Sequence, residues 1–131
     1  MSRENVEIVR KSLVAYEQQD VHGLRACSDS DLELDWSESR GWLAGVYRGI
    51  DEVLGFYEGY FEAFDTIEID AEAFIEAGDS VVVPNVVHQW GREGIEVSAR
   101  STLVFTLRSG KLIRIRLFQE TAKALESVGL T

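Results

Sequence analysis

Two kinds of hydrophobic spacing alternate along the chain. Apolar residues that recur every three or four positions are clearest in residues 53–64, at Val53, Phe56, Tyr57, Tyr60, Phe61 and Phe64, and this spacing is typical of an amphipathic helix. The same spacing predicts a first helix over residues 5–19 and a short last helix over residues 121–128. Residues 24–27 add one more helical turn after the first helix.

Spacing of two residues predicts five strands. The first covers residues 31–36, with Leu32, Leu34 and Trp36 on one side and acidic residues on the other. The four later strands cover residues 66–76, 80–90, 95–107 and 112–119, with tight turns between them. Because tight turns join antiparallel neighbours, these four strands are predicted to form an antiparallel meander. Helices covering one face of that sheet give an α+β fold.

Composition and charge exclude several classes of protein. The 131 residues, 45% of them apolar, are expected to form one domain spanning residues 1–131. A net charge of −10 argues against a nucleic-acid partner or an anionic membrane surface. One cysteine and two histidines provide neither a disulfide nor zinc-ligand spacing, so no metal site and no cofactor are predicted. The charged start lacks an apolar leader, and no apolar run approaches the ~20 residues of a membrane span, so we expect a soluble cytoplasmic protein.

The order of the elements, together with three stretches of sequence, resembles the NTF2-like superfamily, in particular its SnoaL-like and ketosteroid-isomerase-like members. The stretches are Gln19-Asp20-Val21, Tyr47-Arg48-Gly49-Ile50 and residues 103–120. The resemblance implies an NTF2-like cone, in which a curved antiparallel sheet carries three to four helices on its concave face around one pocket. It also implies a homodimer through the convex face. Because the superfamily includes isomerases, cyclases, hydrolases and proteins without enzymatic activity, the fold alone does not identify a reaction.

Alternation along the strands, aligned with ketosteroid isomerase, assigns side chains to the two faces of the sheet. The predicted pocket face holds Pro84, Val86, His88 and Trp90, then Ser98, Arg100, Thr102 and Val104, and then Ile113, Ile115, Leu117 and Gln119. The predicted outer face holds Leu103, Phe105, Leu107, Arg114, Arg116 and Phe118, with the arginines forming ion pairs across a dimer contact. A shift of one residue would exchange the two sets.

The catalytic positions of the resembling enzymes are only partly filled. Against ketosteroid isomerase, Ser12 stands at the tyrosine position, Trp36 at the base and Thr102 at the neutral acid. Asp35 precedes the base position by one residue, and alternation directs it away from the pocket. Arg100 matches the arginine of limonene-epoxide-hydrolase-like members, but the acidic residues that accompany it there are missing.

His88 and Arg100 are the candidate catalytic residues. A histidine with a pKa near ~6.5 can exchange a proton at neutral pH. The alternative is a histidine that fills the pocket wall with one satisfied hydrogen bond. A buried guanidinium at position 100 requires a counter-charge, either an anionic group of a ligand or a carboxylate of the chain. The carboxylates considered are Glu96, Asp35 and Glu33.

The candidate ligand-binding residues are aromatic or polar. They are Tyr16, Trp36, Tyr57, Tyr60, Trp90, Thr102 and Gln119, with core packing as the alternative role of the aromatic ones. The sequence thus favours a cofactor-free isomerase, cyclase or hydrolase that acts on a small organic molecule, with His88 as proton carrier and Arg100 as anion anchor. The alternatives are a ligand-binding protein without turnover and a dimerisation module whose pocket is closed by its own side chains.

Overall fold

A computed structural model describes residues 2–130 of the chain, and the side chains of Ser2 and Arg92 are outside that description. In chain order the elements are α1 (Ser2–Glu17), α2 (Val21–Ala26), β1 (Ser28–Asp35), β2 (Val46–Arg48), α3 (Ile50–Ala63), β3 (Phe64–Ala71), β4 (Ile75–Ala77), β5 (Ser80–Gly91), a 3-10 turn (Arg92–Gly94), β6 (Glu96–Arg108), β7 (Lys111–Phe118) and α4 (Thr121–Ser127). The predicted α+β succession of helices and strands is confirmed. The structure adds β2 inside the predicted loop and divides the predicted strand over residues 66–76 into β3 and β4.

The strands form one curved, unclosed sheet in the order β2-β1-β7-β6-β5-β3, with β4 also pairing with β5. The meander β5-β6-β7 is antiparallel, as predicted. β1 instead runs parallel to β7, so the sheet is mixed rather than wholly antiparallel. This pair joins strands from opposite ends of the chain, and the intervening helix and strands provide the crossover that a parallel pair requires.

The helices are divided between the two faces of the sheet. Residues of α1, α2 and α3 share the main hydrophobic core with the concave face. α4 packs on the convex face instead, where Ala124 lies in a second, smaller core with Val82, Val104 and Phe118. The Thr102 hydroxyl also forms a 2.6 Å hydrogen bond with the Thr121 hydroxyl, which joins β6 to the first residue of α4.

The position of α4 explains why the predicted facing of β5 and β6 is wrong by one residue. Three consecutive valines of β5, at positions 81–83, are buried, because both faces of the sheet are covered there. Alternation therefore carries no signal in this region. In the structure, Leu103 and Phe105 line a cavity under the helices and pair with Val83 and Val81. The residues predicted for the pocket on these two strands, including His88, Trp90, Arg100 and Thr102, consequently lie on the convex face.

The predicted facing of β7 is correct. Ile115 and Leu117 face the cavities under the helices, and the alternating arginines Arg114 and Arg116 lie outside. Arg114 pairs with Glu33 at 3.3 Å, and Arg116 pairs with Asp35 at 3.8 Å. These ion pairs lie within one chain, so they give no argument for the predicted dimer contact.

Candidate functional site

A small apolar cavity of about 50 Å³ lies between the helices and the concave face. Its walls are formed by Ser12, Leu13, Tyr16, Leu24, Leu34, Trp36, Tyr57, Ile69, Leu103, Phe105 and Ile115. The Ser12 hydroxyl donates to the Val9 carbonyl at 2.7 Å, so its hydrogen-bonding capacity as a donor is used within α1. We call this space the inner cavity; it has room for a few water molecules or for one end of a small ligand.

A larger cavity of about 510 Å³ opens at the wide end of the cone, and we call it the mouth. Residues 39–43 form one wall, Tyr60 and Phe64 a second, and the ends of β5, β6 and β7 a third. Trp36 lines both spaces, so its side chain lies between the mouth and the inner cavity. A volume of this size lies within the ~300–1,000 Å³ typical of small-molecule sites.

Neither cavity wall contains a carboxylate, an imidazole or a lysine ammonium among the residues that the structure describes. The charged residues in the walls are Arg40 and Arg100, both at the mouth. The remaining polar groups are hydroxyls, side-chain amides and the indoles of Trp36 and Trp42. Although the protein has a net charge of −10, no acidic residue lines the mouth among the residues that the structure describes.

Phe56 is the centre of an aromatic cluster that supports the site. Its ring centroid lies 5.3 Å from Trp36, 4.9 Å from Tyr47, 5.7 Å from Tyr57 and 5.1 Å from Tyr60. The contacts follow from the helical spacing of α3, which puts Phe56, Tyr57 and Tyr60 on adjacent positions of one face. The tilted and edge-on ring arrangements are the favourable ones for aromatic pairs, so the cluster fixes the orientation of Trp36 and Tyr60.

Three polar side chains lie close together where Trp36 stands between the two cavities. Burial raises the pKa of Tyr60, and the Trp36 indole and Gln89 amide beside its oxygen act in the opposite direction. The Trp36 Nε1–H nevertheless has no acceptor in good hydrogen-bond geometry among residues 2–130, and it is shielded from solvent. The indole N–H is therefore packed beside the Tyr60 oxygen and is not open to either cavity.

The other two tyrosines of the site are neutral donors. Burial raises the pKa of Tyr16 well above its usual range, and the neighbouring Tyr60 and Tyr57 raise it further. Burial likewise raises the pKa of Tyr57, with a contribution from Cys27. At neutral pH these phenols hold their protons, so the site offers hydrogen-bond donors rather than a proton acceptor.

Several of the predicted ligand-binding residues come together in the cone. Tyr16, Tyr57 and Trp36 line the inner cavity, and Tyr60 and Gln119 line the mouth with Trp36. The Gln119 amide nitrogen donates to the Glu38 carbonyl at 2.7 Å, which ties the mouth loop to the end of β7.

Trp90 and Thr102 are the two predicted ligand-binding residues that the cone excludes. Both face the convex side of β5 and β6, where Thr102 is buried against α4. Their exclusion has the same cause as the reversed facing of the strands.

The predicted catalytic pair also lies outside the pocket. His88 Nδ1 is 2.9 Å from the Ser98 hydroxyl, and its ring stacks near Trp90 on the convex face. Arg100 pairs with Glu72, a partner that the sequence had not suggested, and its side chain is 66% exposed. Although Arg100 borders the mouth, its guanidinium is engaged on the other side of the sheet. The expectation that these two side chains converge inside the cone is therefore wrong.

Three residues of the concave face were missed by the sequence prediction. Gln89 and Asn85 are buried polar residues of β5, and Ser101 of β6 pairs with Asn85. Gln89 and Ser101 line the mouth, and the Asn85 amide donates to the Val83 carbonyl at 3.0 Å. The available signal was two neutral amides four residues apart in an apolar strand, in phase with Val81 and Val83 once the register is known.

Comparison with known families identifies the class of protein. The model of the SnoaL-like domain matches residues 9–115, so the chain belongs to the SnoaL-like domain family. No curated protein has a matching sequence. Within the part of the chain that the structure describes, no helix is long and apolar enough to cross a lipid bilayer. Over the same residues, no group of three His, Cys, Asp or Glu side chains is arranged to hold a metal ion.

Solved structures share the fold over nearly the whole chain. An NTF2-like protein of unknown function from Burkholderia pseudomallei is 22% identical, with a TM-score of 0.78 and coverage of 96% of this chain and 98% of that one. TerC, co-crystallised with polyporic acid, is 21% identical, with a TM-score of 0.77 and coverage of 95% and 97%. A Mycobacterium tuberculosis protein in complex with estradiol-17β-hemisuccinate is 15% identical, with a TM-score of 0.79 and coverage of 89% and 94%. These similarities establish the NTF2-like fold.

Proposed function

We propose that the protein binds a small, flat, largely apolar organic molecule in the cone, with one end in the inner cavity and the rest in the mouth. The observation that carries the proposal is that the two spaces adjoin the same Trp36 ring, between a wall of aromatic rings and the apolar concave face. Aromatic walls with a few placed polar groups are typical of sites for ring-shaped ligands.

Two relatives support the same class of ligand. TerC and the Mycobacterium tuberculosis protein were crystallised with polyporic acid and estradiol-17β-hemisuccinate, which are both ring-containing organic molecules. The present chain has the same fold and a mouth of about 510 Å³. We do not propose either of these two molecules as the ligand of the present chain.

The site favours a protein that binds its ligand and uses no side chain of the pocket as a catalytic acid or base. The proton carrier and anion anchor expected from the sequence, His88 and Arg100, hold partners on the convex face. The titratable phenols inside the cone, Tyr16, Tyr57 and Tyr60, have raised pKa values because they are buried. A general base needs a pKa near the working pH, and these groups are far from it.

The test is calorimetric titration with 2-acetylnaphthalene, a planar molecule of two fused rings. We expect saturable binding of one molecule per chain, and we expect Ser101→Trp to abolish it, because the new indole would occupy the mouth. Thr66→Trp is the matched control, since Thr66 is an exposed residue opposite Trp90 on the convex side of β3. Absence of saturable binding, or binding that survives Ser101→Trp in a folded variant, would contradict the proposal.

A further inference from the structure

Arg40 is a cation at the mouth that the chain does not neutralise. It lies in the segment 39–43 that forms one wall of the mouth, and its side chain is exposed. Among the residues that the structure describes, the ion pairs involve other cations, and no carboxylate lies within ion-pair distance of Arg40. Arg100, the other cation of the wall, is engaged by Glu72. The described part of the mouth therefore presents one positive charge without a counter-charge.

Two hydrogen bonds hold the backbone on either side of Arg40. The Gln119 side-chain amide donates to the Glu38 carbonyl at 2.7 Å, and the Tyr47 hydroxyl donates to the Leu43 carbonyl at 2.7 Å. The Glu38 carboxylate accepts from the Gln119 backbone N–H at 3.3 Å and is not part of the wall of the mouth. Because the backbone is held at the rim, less conformational freedom is lost when the Arg40 guanidinium binds a ligand.

The inner cavity is unsuited to a charged group of the ligand. The phenols of Tyr16 and Tyr57 in its wall keep their protons at neutral pH, because burial raises their pKa values. A carboxylate brought there would lose its hydration without gaining a counter-charge. At the exposed rim a carboxylate keeps part of its hydration and gains the Arg40 guanidinium. A ligand with one charged end is therefore oriented with its ring inward and its charge at the rim.

We propose that Arg40 binds a carboxylate at the outer end of the ligand, so that the cone takes flat aromatic carboxylic acids in their ionised form. The planar guanidinium can donate two parallel N–H bonds to a carboxylate, which fixes the direction of the group as well as its charge. This inference rests on the proposed function, because the ring of the ligand must occupy the cone. It goes beyond that function by naming the charged group of the ligand and the residue that recognises it.

The net negative charge of the protein opposes an anion at the mouth only weakly. The chain has a net charge of −10, but at an ionic strength of about 0.15 M, exposed charges more than roughly 8 Å apart are largely screened. Arg108 separates the local effect from the net charge. It is also exposed, it has no ion pair among the residues described, and it ends β6, far along that strand from the mouth.

The test compares 2-naphthoate with 2-acetylnaphthalene, in which a methyl group replaces one carboxylate oxygen, by calorimetric titration at an ionic strength of about 0.15 M. Arg40→Gln should weaken the binding of 2-naphthoate about fivefold and leave that of 2-acetylnaphthalene unchanged. Arg108→Gln removes the same charge from the chain and should change neither affinity. The difference between the two variants measures the contribution of the guanidinium at the rim.

Each contrary result has a distinct meaning. An affinity for 2-naphthoate that Arg40→Gln leaves unchanged would overturn the inference, and so would an equal loss of both probes, because the loss would then not depend on the ligand charge. An equal loss of 2-naphthoate binding in Arg108→Gln would assign the effect to the net charge and would also overturn it. Binding of the ketone without binding of the carboxylate would overturn the inference while leaving the proposed function intact. Failure of both probes to bind would contradict the proposed function itself.

Discussion

Replacement of Phe56 by alanine tests the aromatic cluster that supports the site. Phe56 is 2% exposed and contacts four other rings, so its removal leaves a cavity under α3. Buried Phe→Ala substitutions cost roughly 3–5 kcal/mol. Since domains of this kind are stable by about 5–15 kcal/mol, Phe56→Ala should remove a large share of the free energy of unfolding.

The assay is urea unfolding followed by far-UV circular dichroism, with the free energy of unfolding obtained by linear extrapolation. Trp42→Ala is the comparison, because Trp42 is also an aromatic residue but is 70% exposed at the mouth. Its loss should cost less than about 1 kcal/mol. Phe56→Leu should recover most of the stability lost by Phe56→Ala, because a large side chain again fills the space. A cost below about 1.5 kcal/mol for Phe56→Ala would refute the role of this residue as the centre of the cluster.

Three further variants test the assignment of residues to the faces of the sheet. His88→Gln should leave the calorimetric affinity for 2-acetylnaphthalene unchanged, because the imidazole bonds Ser98 on the convex face. Thr102→Val should lower the free energy of unfolding in urea by about 1 kcal/mol, because it removes the hydrogen bond to Thr121. Burial opposes ionisation of Asp35, but hydrogen bonds from Ser37 and the nearby arginines lower its pKa below 3.8. Asp35→Asn should therefore destabilise the protein above about pH 4, by less than ~1 kcal/mol, and this difference should disappear in urea titrations as the pH falls further.

Contrary results would be specific in each case. Loss of ketone binding in His88→Gln would place the imidazole inside the cone. An unchanged stability of Thr102→Val would show that the hydrogen bond between Thr102 and Thr121 does not hold α4 on the convex face. A destabilisation by Asp35→Asn that persists at the lowest pH would show that the carboxylate charge is not what stabilises the fold there.

The facing of a strand was predicted correctly where one face of the sheet is exposed to solvent, and wrongly where helices cover both faces. In β1 and β7 the convex side carries Glu33, Asp35, Arg114 and Arg116, so polar and apolar positions alternate and the facing of these strands was predicted correctly. In the part of β5 and β6 that α4 covers, consecutive residues are buried on both faces. No polar side remained there to define the register.

The same ambiguity in strand register explains which candidate site residues were predicted correctly and which were not. The aromatic residues on helices, such as Tyr16, Tyr57 and Tyr60, were placed correctly because helical spacing fixes their face independently of strand register. His88 and Arg100 depended entirely on that register and were misplaced. The packing of the Trp36 Nε1 atom beside the Tyr60 oxygen could not be predicted, because it depends on which groups the folded chain brings together.

The indole resonances of the protein give the most direct test of binding inside the cone. The chain has three tryptophans, so a nitrogen-15 correlation spectrum contains three indole N–H signals, and single Trp→Phe variants at positions 36, 42 and 90 assign them. Saturation with 2-acetylnaphthalene should move the Trp36 signal, because the Trp36 ring lines both cavities. The Trp90 signal should stay in place, because Trp90 faces the convex side of the sheet. A Trp36 signal that does not move, or a Trp90 signal that moves in its place, would contradict the account.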